Sequence, residues 1–189
     1  MTQAVFCVLV GAVALQRLFE LRISNRNAVR LKARGGREYA PEQVRWMALL
    51  HGAWLAAMPL EVLLAERPFD VRLACAALLV FMFGQALRLA AMRRLGERWC
   101  VRVITVPSEP VVRGGIFRMF KHPNYLGVVL ELFALPMVHG AWVTALVASA
   151  LNAALLSARI RVEEAALTRD QDYARVFERS QARRRHGAA

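Results

Sequence analysis

Residues Gly115–Gly127 read Gly-Ile-Phe-Arg-Met-Phe-Lys-His-Pro-Asn-Tyr-Leu-Gly and lead into an apolar run that extends from Tyr125 to Val138. Proline fits the first turn of a helix, because the N–H that it lacks would have no helical partner there. The residue before a proline is displaced from helical backbone geometry. The stretch therefore predicts a helix that begins at Pro123, with His122 at its boundary.

The start of this helix brings together groups that suit ligand binding. Its free backbone N–H groups and the positive end of its dipole favour an anionic or carboxylate-bearing ligand. His122 adds a titratable imidazole, and Tyr125 adds an aromatic ring. A turn at the membrane surface with interfacial aromatic anchors would produce the same pattern, so both interpretations stay open at this point.

Composition indicates a membrane protein. The chain has 189 residues, enough for one domain, and it is 57% hydrophobic with a formal net charge of +12. Because the basic side chains cluster outside the apolar runs, the charge is typical of positive cytoplasmic loops rather than of a nucleic-acid binder. The three scattered cysteines match neither a disulfide framework nor a zinc pattern, so no metal is expected.

Five apolar runs can be identified along the chain, at residues 4–21, 44–65, 71–92, 125–138 and 141–156. The expected fold is an all-α integral membrane protein with about five transmembrane helices, although the fourth run is short for a full span. Residues 22–42 are expected to be a polar loop, and residues 101–106 a short extended segment within a second basic loop. Both loops and the C-terminal segment carry most of the Lys and Arg, which predicts a cytoplasmic C-terminus and an outer N-terminus.

Charged residues interrupt several of the runs. Arg17 and Glu20 are three apart and are expected to meet on one helix face. Arg88 is expected to extend towards the lipid headgroups. Glu131 is either a pocket group or an interhelical hydrogen-bonding partner, because a lone charge at that depth is costly. His51 interrupts the second run.

Arg159 and Glu163 are four apart on the helix that is expected after the fifth run. One interpretation is a salt bridge along the helix. The other uses the two charges separately: Arg159 would hold a substrate carboxylate with its fork of donors, and Glu163 would bind a cationic amine. The two interpretations stay open.

Two ordered motifs within residues 95–167 resemble the isoprenylcysteine carboxyl methyltransferase family, whose members are integral membrane enzymes that use S-adenosylmethionine. The first motif is Gly115-x-Phe117-x-x-x-Lys121-His122-Pro123-Asn124-Tyr125-Leu126-Gly127, and the second is Arg159-x-x-x-Glu163-Glu164-x-x-Leu167. The family often has a tyrosine where this chain has Phe117, so a hydroxyl contact would be lost while stacking is retained.

The resemblance implies roles for individual residues. The positions implied in cofactor binding are Pro110, Val111, Val112, Phe117, His122, Pro123, Asn124, Tyr125 and Glu163. Arg159 matches a substrate contact and is a candidate catalytic residue, and His122 is a candidate base for an acceptor that must lose a proton. The expected reaction is O-methylation of a lipophilic small molecule or prenylated substrate that enters from the bilayer, at a carboxylate or at a hydroxyl of the alkylpyrone or alkylphenol type.

The apolar runs, the charge pattern and the resemblance together give the expected organisation of the chain. Residues 1–189 would form a single membrane domain, with three transmembrane helices in 1–92, a cofactor-binding half in 93–180 and a basic tail in 181–189. The cofactor site would be cytoplasmic, formed by the last two helices, the preceding loop and a C-terminal helix. The expected location is the bacterial inner membrane.

Two other functions are compatible with the residues. An NADPH-dependent lipid or sterol double-bond reductase would need a site for the 2′-phosphate, which Arg113, Arg118 and Lys121 can supply. A non-catalytic scaffold would use the basic loops to bind anionic membrane lipids. The pattern of Arg159 with Glu163 and Glu164 favours the methyltransferase.

Overall fold

The computed structural model describes residues 2–107 and 109–171, which form a bundle of five α-helices. The helices are α1 (Thr2–Ala33), α2 (Gln43–Leu64), α3 (Val71–Leu95), α4 (Pro123–Met137) and α5 (Trp142–Gln171). Two short strands, β1 (Arg37–Tyr39) and β2 (Val103–Thr105), pair antiparallel. The all-α class is confirmed, and β2 confirms the predicted extended segment.

Four of the helices are long and apolar enough to cross a membrane, namely α1, α2, α3 and α5. Large apolar side chains cover the outside of the bundle, and Val8, Leu64 and Leu79 are 73%, 76% and 74% exposed. Lipid tails solvate such a surface, while the helical hydrogen bonds satisfy the backbone within each segment. The chain is therefore an integral membrane protein.

The shorter helix α4 also crosses the bundle. The ring of His139, just beyond its end, lies 5.5 Å from the ring of Phe6 and 5.4 Å from the ring of Phe69. Phe6 lies near the start of α1, and Phe69 lies in the connector between α2 and α3. All five helices thus run between the same two ends of the bundle, but α4 has 15 residues, fewer than the roughly 20 needed for a full span, so a fifth membrane crossing stays a prediction.

Helices α3 and α4 pack most closely where two glycines meet. A Cβ atom built on Gly127 would lie 2.6 Å from the carbonyl oxygen of Gly84 and 2.5 Å from Cγ of Arg88. Only glycine permits this approach of two backbones. The contact holds the start of α4 in place beside α3.

The prediction of a polar loop over residues 22–42 is wrong, because α1 continues to Ala33. Ser24 Oγ accepts a hydrogen bond from the backbone N–H of Val101 at 2.8 Å, and Asn27 Nδ2 donates to the carbonyl of Trp99 at 2.8 Å. The polar face of this extension packs against protein rather than lipid. Apolar periodicity therefore ends before the helix does.

The prediction that Arg88 extends towards the headgroups is also wrong. Arg88 is 5% exposed, and its guanidinium lies 2.6 Å from Glu20 and 3.2 Å from Glu131. Arg17 pairs with both of the same carboxylates, which confirms its predicted contact with Glu20 at 2.7 Å. We call Arg17, Glu20, Arg88 and Glu131 the charged ring. Its two cations and two carboxylates make it formally neutral. It links α1, α3 and α4, and Glu131 is therefore an interhelical partner.

The predicted C-terminal helix is a continuation of the fifth apolar run and forms one helix with it. Near its end, Asp170 accepts a hydrogen bond from Tyr39 at 2.8 Å and another from Thr105. Gln171 donates to the carbonyl of Val106 at 3.0 Å. These contacts attach the small sheet to α5, whereas the basic tail expected at residues 181–189 lies outside the described residues.

Candidate functional site

A cavity of about 1690 Å³ opens between the helices and the segment that connects α3 to α4. On its loop side, the lining includes most of the residues predicted to form the site: Val111, Val112, Phe117, His122, Pro123, Asn124, Tyr125, Arg159 and Glu163. On its helix side, apolar residues of α1 and α2 line it, among them Leu18, Leu21, Met47 and Leu55. One space therefore joins polar groups to a wall suited to a hydrocarbon chain.

The start of α4 faces this cavity. The helix begins at Pro123, as predicted, and no side chain caps it at His122. Its first backbone hydrogen bond runs from the N–H of Leu126 to the carbonyl of His122 at 3.0 Å. The N–H groups of Asn124 and Tyr125 precede that bond, so they remain available to an anionic group.

The hydroxyl of Tyr125 joins Arg159 and Glu163, two charged residues of α5. It donates a hydrogen bond to the carboxylate of Glu163 and accepts one from Arg159 Nε at 3.0 Å. The guanidinium of Arg159 also donates to the carbonyl of Val101. Among the described residues no ion pair joins Arg159 to Glu163, so the salt-bridge interpretation is wrong, and the two charges are linked instead through the hydroxyl of Tyr125.

The ring of His122 is held by Glu164, a residue to which the sequence assigned no separate role. Its Nε2 lies 2.8 Å from a carboxylate oxygen of Glu164, which also accepts from Lys121 Nζ at 2.6 Å. The ring of His122 stacks on that of Tyr125, with centroids 5.5 Å apart and planes at 20°. Because a carboxylate at neutral pH only accepts, Nε2 carries a hydrogen and is not free to act as a base.

The segment before the two glycines is only partly in the cavity. Val111 and Val112 line it, whereas Pro110 is exposed, does not line the cavity and accepts from Arg98 through its carbonyl at 2.6 Å. Arg94 supports the loop by donating to the carbonyl of Arg113 at 3.1 Å. These supporting roles of Arg94 and Arg98 had no signal in the sequence beyond their charge.

The glycine loop itself has the backbone geometry that glycine favours. Gly114 and Gly115 have φ angles of +90° and +56°, which other residues rarely adopt. A Cβ on Gly114 would also lie 3.0 Å from a guanidinium nitrogen of Arg94. The turn thus favours glycine at both positions, and the guanidinium of Arg94 leaves little room for a side chain at Gly114.

Asn124 carries an unused polar atom at this site. Its side-chain oxygen is buried and has no hydrogen-bond partner within the described part of the chain. Leaving a buried acceptor unpaired costs about 1–3 kcal/mol. A ligand that donates a hydrogen bond here would recover that cost.

The sheet at the mouth of the cavity is anchored electrostatically. Glu38 on β1 lies 2.5 Å from Lys32 and 2.7 Å from Arg102. Burial raises the pKa of Glu38, but the hydrogen bonds and charges of these two cations outweigh it and hold the pKa below its ordinary value. The carboxylate therefore stays ionised near neutral pH and ties β1 to α1 and to the basic loop.

Comparisons with known proteins point to one family. A model of the isoprenylcysteine carboxyl methyltransferase (ICMT) family matches residues 76–169. The uncharacterized protein YpbQ of Bacillus subtilis is 32% identical over 163 residues, which is 86% of this chain and 96% of the relative. An uncharacterized protein of Haemophilus influenzae is 28% identical over 153 residues, which is 80% of this chain and 88% of the relative. No solved structure matches the chain at a significant level.

Proposed function

Since this chain belongs to the isoprenylcysteine carboxyl methyltransferase family, we propose that it is an S-adenosylmethionine-dependent O-methyltransferase acting on a lipophilic acceptor in the membrane. Family membership supports a membrane methyltransferase. The observation that carries the finer proposal is the convergence of the start of α4, Tyr125, Arg159 and Glu163 on one cavity that also has an apolar wall.

The residues of the loop side fit the chemical groups of S-adenosylmethionine. The free N–H groups of Asn124 and Tyr125 suit its carboxylate, and Glu163 suits its ammonium group. The unpaired oxygen of Asn124 offers an acceptor for an N–H or O–H donor. Phe117 and the stacked rings of His122 and Tyr125 offer aromatic surface for the adenine or for the positively charged sulfur.

When bound, S-adenosylmethionine would supply a methyl group attached to a positively charged sulfur. An acceptor oxygen would take this methyl group, and the electron pair of the broken carbon–sulfur bond would stay on the sulfur. The protein must then mainly orient the acceptor and exclude water. Arg159 would orient an acceptor oxygen with its guanidinium. The apolar wall formed by α1 and α2 would hold the hydrocarbon part of the acceptor and admit it from the bilayer.

The proposed orientation places this site on the cytoplasmic side of a bacterial inner membrane. The C-terminal end of α1, the sheet, the connector from α3 to α4 and the end of α5 meet at one end of the bundle. That end carries most of the Lys and Arg, as cytoplasmic ends do. In this proposal residues 1–92 supply three transmembrane helices, residues 93–180 the cofactor-binding half and residues 181–189 a basic tail.

Glu163→Gln is expected to weaken binding of S-adenosylhomocysteine by about tenfold to a hundredfold. The amide oxygen can still accept from Tyr125, but the charge that would pair with the ammonium group is lost, and hydrogen bonds to charged groups contribute about 1.5–3 kcal/mol. Calorimetric titration of the detergent-purified protein measures the change in affinity. Glu42→Gln is the matched control, because Glu42 is an exposed glutamate outside the cavity lining.

The same titration with NADPH tests the competing function. Binding of S-adenosylhomocysteine by the unaltered protein, lost in His122→Ala, would support the methyltransferase. Binding of NADPH without S-adenosylhomocysteine would assign the chain to the reductases. Equal affinities of the Glu163→Gln and Glu42→Gln variants would contradict the role proposed for Glu163.

Arg159→Ala is expected to impair use of the acceptor far more than binding of S-adenosylhomocysteine. Arg159 is 5% exposed in the cavity wall, whereas Arg161, two residues along the same helix, is exposed. Arg161→Ala is therefore the matched control for loss of a positive charge from α5. Saturation kinetics with a lipophilic acceptor measure the effect, and equal kinetics in the two variants would remove Arg159 from the proposed acceptor site.

A further inference from the structure

His51 is a histidine of α2 that lines the same cavity, on its helix side. Its Nδ1 lies 2.8 Å from the backbone carbonyl oxygen of Met47. A carbonyl only accepts hydrogen bonds, so Nδ1 must carry the hydrogen of this contact. In a neutral imidazole with Nδ1 protonated, Nε2 holds a free electron pair and is basic.

The ring of His51 is held in place by its own helix, whose Trp54 is in turn bonded to α4. Trp54 lies one turn further along α2, with its ring edge-on to His51 at 6.3 Å and 75°. The indole N–H of Trp54 donates to the carbonyl of Leu132 at 3.0 Å, which fixes that ring to α4. Within the described residues no protein group bonds to Nε2 of His51, although the ring is half-buried.

The charged groups around the cavity are already engaged with one another. On α1, Glu20 accepts from Arg17 and Arg88 of the charged ring. On α5, Glu163 accepts from Tyr125, which also bonds to Arg159. His122, the base expected from sequence, directs its Nε2 at Glu164. Nδ1 of His122 and Nε2 of His51 are then the two imidazole nitrogens of the described cavity lining that have no protein partner. His122 lies among the loop-side groups proposed to bind the cofactor, whereas His51 lies on the helix side, with the wall that would hold the acceptor.

We infer that His51 is the general base of this enzyme, which would favour, of the two acceptor types expected from the resemblance, the weakly acidic hydroxyl of a phenol or an enol with a hydrocarbon tail. The inference rests on the proposed methyltransferase function. The O–H bond of the acceptor breaks, its proton passes to Nε2 of His51, and the electron pair stays on the oxygen that becomes methylated. The proton is released to water after the product leaves, so each turnover liberates one proton.

The chemistry of the two acceptor classes explains this choice. A carboxylate is already ionised near neutral pH and needs no base. A phenol, with a pKa near that of tyrosine at about 10, is mostly protonated and a weak nucleophile. A basic histidine on the helix side of the cavity therefore assists a hydroxyl acceptor, whereas a carboxylate acceptor needs no base.

The test compares His51→Gln with the unaltered protein on two acceptors that differ in acidity, para-dodecylphenol and its ortho-nitro derivative. General-base catalysis contributes about a hundredfold to ten-thousandfold, so kcat for the phenol is expected to fall by that amount with little change in KM. At a pH where the nitrophenol is already ionised, the substitution is expected to leave its turnover almost unchanged. An equal loss on both acceptors would show a structural role and overturn the inference.

A second readout does not depend on turnover. The nitrophenol absorbs differently in its ionised form, so its absorbance reports proton loss when it binds together with S-adenosylhomocysteine. Below the pH at which the free compound ionises, the unaltered protein is expected to bind it as the phenolate, and His51→Gln is expected to bind it protonated. Protonated binding by both proteins would overturn the inference.

The cavity offers a matched control in its other histidine. His122→Gln is expected to weaken S-adenosylhomocysteine binding without changing the rate ratio of the two acceptors, whereas His51→Gln changes the ratio and keeps the affinity. Absence of S-adenosylhomocysteine binding by the unaltered protein would refute the methyltransferase itself. Retained binding with methylation of an S-prenylated cysteine, but of neither phenol, would refute only the role of His51 and its hydroxyl acceptor.

Discussion

Arg88→Met is expected to lower the free energy of unfolding by about 3–5 kcal/mol, because removing one partner of a buried ion pair leaves an uncompensated charge. Glu131 is fully buried and Glu20 is 7% exposed. Without Arg88, the two carboxylates would share the single guanidinium of Arg17. Lipid cannot replace the lost cation, and Glu131 has no exposed surface through which water could compensate for it.

Pairwise removal of opposite charges tests this explanation. Arg88→Met combined with Glu131→Leu leaves Arg17 paired with Glu20 at 2.7 Å, so the double variant is expected to recover most of the lost stability. Equilibrium unfolding in mixed detergents, followed by circular dichroism, measures both variants. If the double variant is less stable than the single one, the loss arises from packing rather than from an unpaired charge.

Gly127→Ala is expected to cost about 3 kcal/mol, at the upper end of the range for overpacking. The added methyl group would lie 2.6 Å from the carbonyl oxygen of Gly84. The obstacle is backbone, so α3 and α4 must separate, whereas the clash with Cγ of Arg88 could be relieved by a side-chain movement. Separation would also displace the start of α4, and binding of S-adenosylhomocysteine should weaken in parallel.

Gly52→Ala on α2 is the matched control, because nothing lies within 4 Å of the added methyl group. Alanine is more favourable than glycine within a helix by about 1 kcal/mol. The control variant should therefore be at least as stable as the unaltered protein under the same unfolding conditions. Similar losses in both variants would show that the close approach of α3 and α4 does not constrain Gly127.

Sequence patterns predicted much of the candidate site, since its residues lie in two compact motifs. Pro123 marks the start of α4, and the helical spacing of Arg159 and Glu163 places both on one face of α5. Their partners were not predictable in this way. Tyr125 lies 34 residues from Arg159, and it takes the place of the direct salt bridge that the spacing alone favoured.

The position of His51 was equally unpredictable from sequence patterns. The sequence marks it as a polar interruption of an apolar run, but does not distinguish a lipid-facing imidazole from one that lines a cavity. Its tautomer depends on the carbonyl of Met47 one turn earlier, a local contact. Its access to the cavity depends on how α2 packs in the bundle, which no local pattern encodes.

By itself, the sequence determined the five apolar helices and the start of α4, because the bilayer requires each apolar segment to satisfy its own backbone and Pro123 suits a first helical turn. The tertiary structure alone decided the fate of the polar groups. Arg88 meets carboxylates that lie 68 and 43 residues away in the chain, and the polar end of α1 remains helical because it packs against the segment after α3. A buried polar group is stable only beside its partner, and that partner is chosen by the packing of distant helices.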